Sequence, residues 1–351
     1  MNRDFIIRPE ELELTFSHGT GHRQLAFQNW KATPQAWKNA CRDQLSSSLG
    51  LEIPAAAGIV REVRRLEETG VTIQALIMQV DDKLSIPAYF LIPAVPKDPS
   101  RLVMAIHGHG EVEACIGVWD DYHHSFALAL AQAGYVVLCP ELRGFGALFD
   151  LALHKPGSRL DYWQWGEPMA YSLVTDGFLY GKTLLGETTA DLLRWELWLA
   201  ENQGITSIDA VGISYGGDLA LLYPVFSQRV ERIFASGSLG SFGVVFQQCY
   251  NAPAHCIPGI LQWMDRSDIA GLNAPRSILL HFGELDVPSP KNFSASYNAS
   301  VPIAVDELRA IYRNFGFENR VHMQVSPGKG HEMDIPLILK YLGEPYAAMD
   351  G

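Results

Sequence analysis

Short apolar runs alternate with helix-type segments from Arg101 to the end of the chain, and this alternation constrains the fold more than any other feature. The runs typical of buried strands are 102–106, 135–139, 208–211, 230–235, 278–282 and 321–325. The helix-type segments are 122–133, 188–200, 214–226, 305–315 and 335–342. Strands that alternate with helices assemble into a parallel sheet covered on both faces. The sequence therefore predicts an α/β fold with a mostly parallel central sheet flanked by helices.

The first hundred residues follow other patterns. In residues 1–70, Trp30 and Trp37 precede a set of apolar positions at loosely helical spacing, and Ile59, Val63 and Leu66 stand at i, i+4 and i+7. This spacing predicts a helical N-terminal region. Residues 71–77 and 86–92, which flank an Asp-Asp-Lys turn, predict a β-hairpin. We interpret 1–70 as a cap or an oligomer contact, so a homo-oligomer stays open, and 71–351 as the main domain.

Two aromatic-rich stretches, 150–182 and 240–273, interrupt the alternation. Insertions of this length between core elements often carry binding function, so we expect them to form a lid. The candidate pocket residues in them are Trp163, Trp165, Tyr171 and Phe242. Packing in the core or within the lid is the alternative role for such aromatic side chains.

Composition excludes several classes of protein. The chain has 27 Lys and Arg against 39 Asp and Glu, a formal net charge of −12, and no basic stripe typical of a nucleic-acid binder. No run approaches the 18 or so apolar residues of a membrane span. The N-terminus carries acidic residues where a signal peptide needs an apolar run. We expect a cytoplasmic protein that binds neither nucleic acid nor a membrane.

The motif Gly212-Ile213-Ser214-Tyr215-Gly216 fits G-x-S-x-G and lies between a predicted strand and a predicted helix. In this context the serine occupies a sharp strand-to-helix turn, which needs small neighbours two positions away on each side. The N-terminus of the following helix supplies free N–H groups and the positive end of a dipole for a developing oxyanion. The motif therefore predicts Ser214 as a nucleophile; the alternative is a tight turn with an inert serine.

A serine nucleophile needs a base, and the base needs an acid that orients it. Asp286 follows the strand 278–282, and His331 follows the strand 321–325 on a Gly-rich loop. Serine, acid and histidine thus occur in the chain order of one known triad class, each on a loop after a strand. Glu284 is the second choice for the acid. His322 and His281 lie inside predicted strands and are expected to pack there.

An oxyanion hole needs two N–H donors directed at the transition-state oxygen. The backbone N–H of Tyr215, directly after the serine, is the first candidate. The second should come from the loop after the strand 102–106, which reads His107-Gly108-His109-Gly110. We predict the N–H of His109, with Gly110 as the second choice.

These motifs together resemble the α/β-hydrolase superfamily, in its dienelactone hydrolase and acetyl xylan esterase-like branch. The matching residues are 107–110, 142–146 (Leu-Arg-Gly-Phe-Gly), 212–217, 283–286 and 330–331, within a resemblance that spans about 71–342. The resemblance implies the α/β-hydrolase fold and an esterase-type mechanism on small acyl esters, often of acetylated sugars. Secreted acetyl xylan esterases carry signal peptides, and the N-terminus here has no such pattern.

Two further site types are weighed against this interpretation. His107, His109, His123 and His124 could bind zinc, but the first two belong to the oxyanion loop and no H-E-x-x-H motif occurs, so we predict no metal site. Gly181-Lys182-Thr183 resembles the end of a phosphate-binding loop, but Asp176 stands where its first glycine is required. We expect no cofactor.

The function predicted from the sequence is hydrolysis of a carboxylic ester by a Ser-His-Asp triad through an acyl-enzyme. The alternative is a C–C bond or lactone hydrolase of the same fold that acts on a specialised small molecule. A peptidase would need a gating domain, for which some 70 residues are too few. A binding protein with an inactive site is disfavoured because all three triad candidates are present.

Overall fold

The computed structural model describes residues 23–146, 169–243, 253–286 and 297–344, with the side chains of 169–172 and 297–299 left out. The strands are β1 Ile59–Glu68, β2 Val71–Gln79, β3 Ser85–Pro93, β4 Arg101–Ile106, β5 Val136–Pro140, β6 Ser207–Ile213, β7 Val230–Ser236, β8 Ser277–Gly283 and β9 Val321–Ser326. The α-helices are α1 Pro34–Leu49, α2 Phe126–Gln132, α3 Met169–Leu179, α4 Leu184–Asn202, α5 Tyr215–Leu222, α6 Arg266–Gly271, α7 Tyr297–Asn314 and α8 Ile335–Gly343.

The strands form one sheet in the order β1-β2-β3-β5-β4-β6-β7-β8-β9. The first three strands are antiparallel, and β3 pairs antiparallel with β5. All pairings from β5 across to β9 are parallel. The predicted hairpin and the mostly parallel sheet are both confirmed. In this arrangement β4, β6, β7, β8 and β9 all end at the same edge of the sheet.

Both faces of the central strands are buried. In β4, Leu102 and Met104 pack on one side while Val103 and Ala105 pack on the other, because successive residues of a strand point to opposite faces. The first face is covered by apolar residues of α1 and α3 to α7. The second face is covered by α2 and α8. A strand buried on both faces requires a continuous apolar run, which is why these strands were visible in the sequence.

The N-terminal region is only partly helical. Helix α1 is confirmed for the spacing of Trp37, Leu45 and Leu49, all fully buried, and it ends at Gly50 with φ of 61°. The helix predicted for Ile59, Val63 and Leu66 is wrong, because these residues belong to strand β1. β1 is an edge strand with an irregularity between Glu62 and Arg64, and these three side chains are exposed. The i, i+4, i+7 spacing of these three residues therefore does not mark the buried face of a helix.

The segment before α2 also departs from prediction. The helix expected from Tyr122 begins only at Phe126, since His124 and Ser125 have φ of 51° and 52°, in the left-handed region. Residues 122–125 instead form a tight turn. This turn places the side chains of Tyr122 and His123 against the loop after β4.

The helices in the described ranges do not include one that is both long and apolar enough to cross a bilayer.

Candidate active site

Ser214 occupies the turn between β6 and α5 with φ of 57° and ψ of −120°, a conformation rare for a residue with a side chain. The surrounding backbone maintains this conformation. The N–H of Ser214 donates to the carbonyl oxygen of Ser236 at 2.9 Å. A Cβ atom added at Gly212 would lie 2.0 Å from the carbonyl oxygen of Gly216, and one added at Gly216 would lie 2.2 Å from that of Ile106. Strand, turn and helix therefore fit together only with glycine at these two positions.

Asp286 and His331 are brought together from loops after two neighbouring strands. Nδ1 of His331 lies 2.9 Å from Oδ2 of Asp286. Asp286 is buried, whereas the side chain of His331 is about one-fifth exposed, at 21%. A carboxylate only accepts hydrogen bonds, so the Nδ1–H of His331 is the donor and Nε2 carries the lone pair of the neutral ring. Glu284, the second choice for the acid, instead accepts the N–H of Gly328 at 2.8 Å in an exposed turn.

The contacts of His331 and Ser214 converge on the same stretch of backbone. Ser214 hydrogen-bonds to Ser236, and the next residue, Gly237, packs against His331. A Cβ atom added at Gly237 would lie 2.5 Å from Cε1 of the His331 ring. The ring of Tyr122 lies 5.7 Å from that of His331, and a Cβ added at Gly108 would meet both the Tyr122 hydroxyl and Cβ of Ser214. Ser214 and the pair formed by His331 and Asp286 thus lie beside the same stretch of backbone at the carboxyl edge of the sheet.

The loop after β4 lies beside Ser214. Gly108 approaches Ser214 closely, since an added Cβ there would lie 3.1 Å from Cβ of Ser214. The backbone N–H of Tyr215 is at the first turn of α5, where helical N–H groups have no partner within the helix. The ring of His109 packs against Tyr215 and stacks on His255, with centroids 5.4 Å apart in the latter pair. Burial lowers the pKa of His109 to about 3, so its ring is neutral at ordinary pH.

Comparison with solved structures identifies the architecture. A proposed acetyl xylan esterase from Bacteroides fragilis superimposes with a TM-score of 0.71 at 16% identity, over 92% of this chain and 83% of that one. A glucuronoyl esterase from Solibacter usitatus gives 0.60 at 13%, over 94% and 98%. Acetyl xylan esterase 1 from Thermoanaerobacterium gives 0.56 at 14%, over 97% and 98%.

The chain has the α/β-hydrolase fold. No family model matches the sequence, and no curated protein does so either. At these identities the similarity establishes the fold alone. In an α/β-hydrolase the carboxyl edge of the sheet carries the ligand, which is the edge where Ser214, Asp286 and His331 lie.

Beside the turn at Ser214, the core holds a buried polar cluster that sequence reasoning missed. Asp218, one turn after Ser214, accepts Nδ1–H of His255 at 2.5 Å and also contacts Arg266 and Ser238. Burial lowers the pKa of His255 to about 3, so this ring is neutral as well. The cluster ties α5 to the loops that flank it, and it supports the rings of Tyr215 and His109 through His255. These contacts span 20 to 48 residues, so no local pattern could indicate them.

Arg143, one of the residues that carried the resemblance, is a structural anchor. Its guanidinium donates to both oxygens of Asp191, at 2.6 and 2.9 Å, and to Glu187 at 2.7 Å. Two parallel N–H···O bonds fix the geometry as well as the charge. The loop after β5 is therefore fastened to α4.

The candidate pocket aromatics are only partly described. Trp163 and Trp165 lie outside the described residues, as does the side chain of Tyr171 in α3. Phe242 is buried beside Arg266 and lines a small cavity of about 30 Å³ behind α5. The residues lining that cavity do not include Ser214, Asp286 or His331. A substrate role for these four aromatics stays a prediction.

The four histidines considered as zinc ligands have other partners. His123 bonds to Asp121 and Gly108, and His124 to Glu332. In the part of the chain that the structure describes, no group of three or more His, Cys, Asp or Glu side chains is arranged to hold a metal ion.

The segment Gly181-Lys182-Thr183 begins helix α4. Thr183 is the N-cap and accepts the N–H of Gly186 at 3.0 Å, while Lys182 bonds to Glu52 at 2.6 Å. The three residues thus cap the start of a helix, and their likeness to a phosphate-binding loop is limited to the sequence.

Proposed function

We propose that this α/β-hydrolase cleaves carboxylic esters with Ser214 as nucleophile, His331 as general base and Asp286 as the group that orients the base. The observation that carries the proposal is the 2.9 Å contact between His331 and buried Asp286, next to a serine on a strained strand-to-helix turn. A nucleophile, a base and an orienting acid in this order are the parts of a serine hydrolase.

The chemistry follows from this arrangement. Ser214 Oγ attacks the ester carbonyl carbon while Nε2 of His331 takes the hydroxyl proton. The negative charge moves to the carbonyl oxygen, where the N–H groups of Tyr215 and His109 or Gly110 stabilise it. The tetrahedral intermediate collapses, and His331 passes its proton to the leaving alcohol. His331 then takes a proton from a water molecule that attacks the acyl-enzyme, and it passes this proton to Ser214 Oγ as the acid is released. The cycle uses no cofactor.

Asp286 acts through His331. It holds the imidazole in the tautomer with the proton on Nδ1 and stabilises the imidazolium formed during attack. Burial of the carboxylate keeps water from competing for this bond.

A small acyl group such as acetyl is the proposed substrate feature. Support comes from the two structural neighbours named as acetyl xylan esterases, which share the fold at low identity. Fold similarity does not establish the substrate, so the acyl group has to be tested directly.

The test compares hydrolysis of p-nitrophenyl acetate, butyrate and octanoate by the wild type, Ser214→Ala and Ser47→Ala. Ser47 is an exposed serine on α1 and serves as the matched control. We expect turnover that favours acetate, lost in Ser214→Ala and retained in Ser47→Ala, and labelling of Ser214 by a fluorophosphonate.

Other outcomes redirect or overturn the proposal. Labelling at Ser214 without ester turnover would support a lactone or C–C substrate instead. The absence of both labelling and turnover would overturn the proposal and favour a binding protein.

A further inference from the structure

The turn Asp121-Tyr122-His123 contacts the loop after β4 at two peptide groups, one on each side of the peptide that joins Gly108 to His109. The N–H of Gly108 donates to Nε2 of His123 at 2.9 Å. The hydroxyl of Tyr122 donates to the carbonyl oxygen of His109 at 2.6 Å. Neither side chain has a part in the chemistry proposed above. Both are directed at the loop expected to stabilise the oxyanion.

The tautomer of His123 is determined by its partners. A backbone N–H can only donate, so Nε2 of His123 must carry a lone pair and the proton must be on Nδ1. Nδ1 lies 2.7 Å from Oδ1 of Asp121, which can only accept. The same carboxylate oxygen also accepts the backbone N–H of His123 at 2.8 Å. Asp121 therefore orients His123, and His123 orients Gly108.

The peptide between these two contacts is held as well. His107 Nε2 accepts the N–H of Leu142 at 3.1 Å, which leaves the proton on Nδ1, and Nδ1 lies 2.7 Å from the carbonyl oxygen of Gly108. Three consecutive peptide planes are thus held by three side chains, those of His123, His107 and Tyr122.

This arrangement sets the direction of the donor groups. In a trans peptide the N–H points opposite to the carbonyl of the same plane. The bond from His107 to the Gly108 carbonyl therefore directs the N–H of His109, and the bond from Tyr122 to the His109 carbonyl directs the N–H of Gly110. The bond to His123 uses the N–H of Gly108, so Gly108 itself is not a candidate donor.

We propose that Asp121, Tyr122 and His123 form a clamp that, together with His107, pre-aims the oxyanion donors of the loop after β4. The residues of the clamp are positioning residues, and their role rests on the proposed function of Ser214. Donors aimed before the reaction need no reorganisation as charge develops on the oxygen, which is the main source of such stabilisation.

The clamp predicts a specific kinetic signature. Donors that act only in the transition state affect kcat and leave KM nearly unchanged. Misdirecting a donor by about 1 Å can cost on the order of 100-fold in rate. We expect His123→Leu to lower kcat by about 10- to 100-fold, and Tyr122→Phe, which removes only the hydroxyl, by about 10-fold.

The experiment measures kcat and KM with p-nitrophenyl acetate for the wild type, His123→Leu, His123→Gln, Tyr122→Phe and His322→Leu. Gln offers a side-chain oxygen that can accept the N–H of Gly108, so His123→Gln should recover much of the rate lost in His123→Leu. His322, a half-buried histidine on β9, is the matched control and should retain wild-type kinetics. Thermal unfolding of each variant identifies any that fail to fold.

A second measurement is independent of activity. Nuclear magnetic resonance of ¹⁵N-labelled wild-type protein should detect a scalar coupling across the hydrogen bond from Gly108 N–H to His123 Nε2. Absence of this coupling would overturn the clamp even if His123→Leu is unfolded.

The outcomes separate the two proposals. If folded His123→Leu has the same kcat as the wild type, the clamp is overturned and the proposed triad is unaffected. A rise in KM with an unchanged kcat in His123→Leu would show that His123 acts only through packing. The same conclusion would follow if His123→Gln did not recover the lost rate. A wild type without turnover or labelling would overturn the proposed function, and with it the role of the clamp.

Discussion

Asp286→Asn tests whether the buried carboxylate is needed by His331. The change keeps the size of the side chain and removes its charge. In the wild type the carboxylate only accepts, so the Nδ1–H of His331 donates to it, at 2.9 Å. An amide can also donate through its NH₂ group, which would place the proton of His331 on Nε2. The ring would then be unable to take the proton of Ser214.

The magnitude follows from the geometry. Opposite unit charges 2.9 Å apart attract by about 6 kcal/mol at an effective dielectric constant of 20. Because the His331 side chain is 21% exposed, water screens part of this attraction. Together with the unfavourable tautomer, we expect kcat to fall by about 10³- to 10⁴-fold, which is about 4 to 5.5 kcal/mol in activation free energy.

The assay is steady-state hydrolysis of p-nitrophenyl acetate by Asp286→Asn beside Glu284→Gln. Glu284 is only two residues away but bonds to Gly328 in an exposed turn, so its variant should stay within about 3-fold of the wild type. If folded Asp286→Asn retains activity within 10-fold, or if Glu284→Gln loses more than Asp286→Asn, the assignment of the acid is refuted.

Three further predictions concern the framework of the site. Gly216→Ala should be destabilised by more than about 2 kcal/mol in urea unfolding, because the added Cβ would lie 2.2 Å from the carbonyl oxygen of Ile106; stability within 0.5 kcal/mol would contradict the close approach. Arg143→Met should cost about 3 to 5 kcal/mol, because buried Asp191 would lose its main partner; a neutral result in the same unfolding assay would mean that the pair is dispensable. Burial raises the pKa of Asp268 to about 6 from an ordinary value near 3.8, so its folded form binds a proton more tightly than its unfolded form. The stabilisation is complete below about pH 4 and is lost as the pH rises through 6, so the stability of the wild type relative to Asp268→Asn should fall by up to about 3 kcal/mol between pH 4 and 7. A difference that is flat or that rises over this range would contradict the pKa shift.

The central strands that could be predicted share one physical property. Strands β4 to β8 are buried on both faces, so their residues form continuous apolar runs bounded by turns. Strand β1 could not be predicted, because an edge strand exposed on both faces carries no burial pattern. Its residues Ile59, Val63 and Leu66 have the spacing of a helix only by chance.

The candidate site divides in a similar way. Ser214, Asp286 and His331 could be picked out because each follows a strand of a parallel sheet, and such strands end at one edge. Their neighbours Tyr122 and His123 could not, since the segment had the appearance of a helix start and its turn depends on left-handed residues at His124 and Ser125. Nor could His255, whose contact with Asp218 joins residues 37 positions apart in the chain.

The sequence by itself determined the class of fold and the chemical types at the ends of the strands, because periodic burial and chain order are local properties. Only the tertiary structure decided which carboxylate meets His331, which histidine holds Gly108 and which aspartate holds His255. These are hydrogen bonds between residues 15 to 45 positions apart in the chain. Their geometry depends on how the sheet and helices bring the loops together, which no local pattern of residues records.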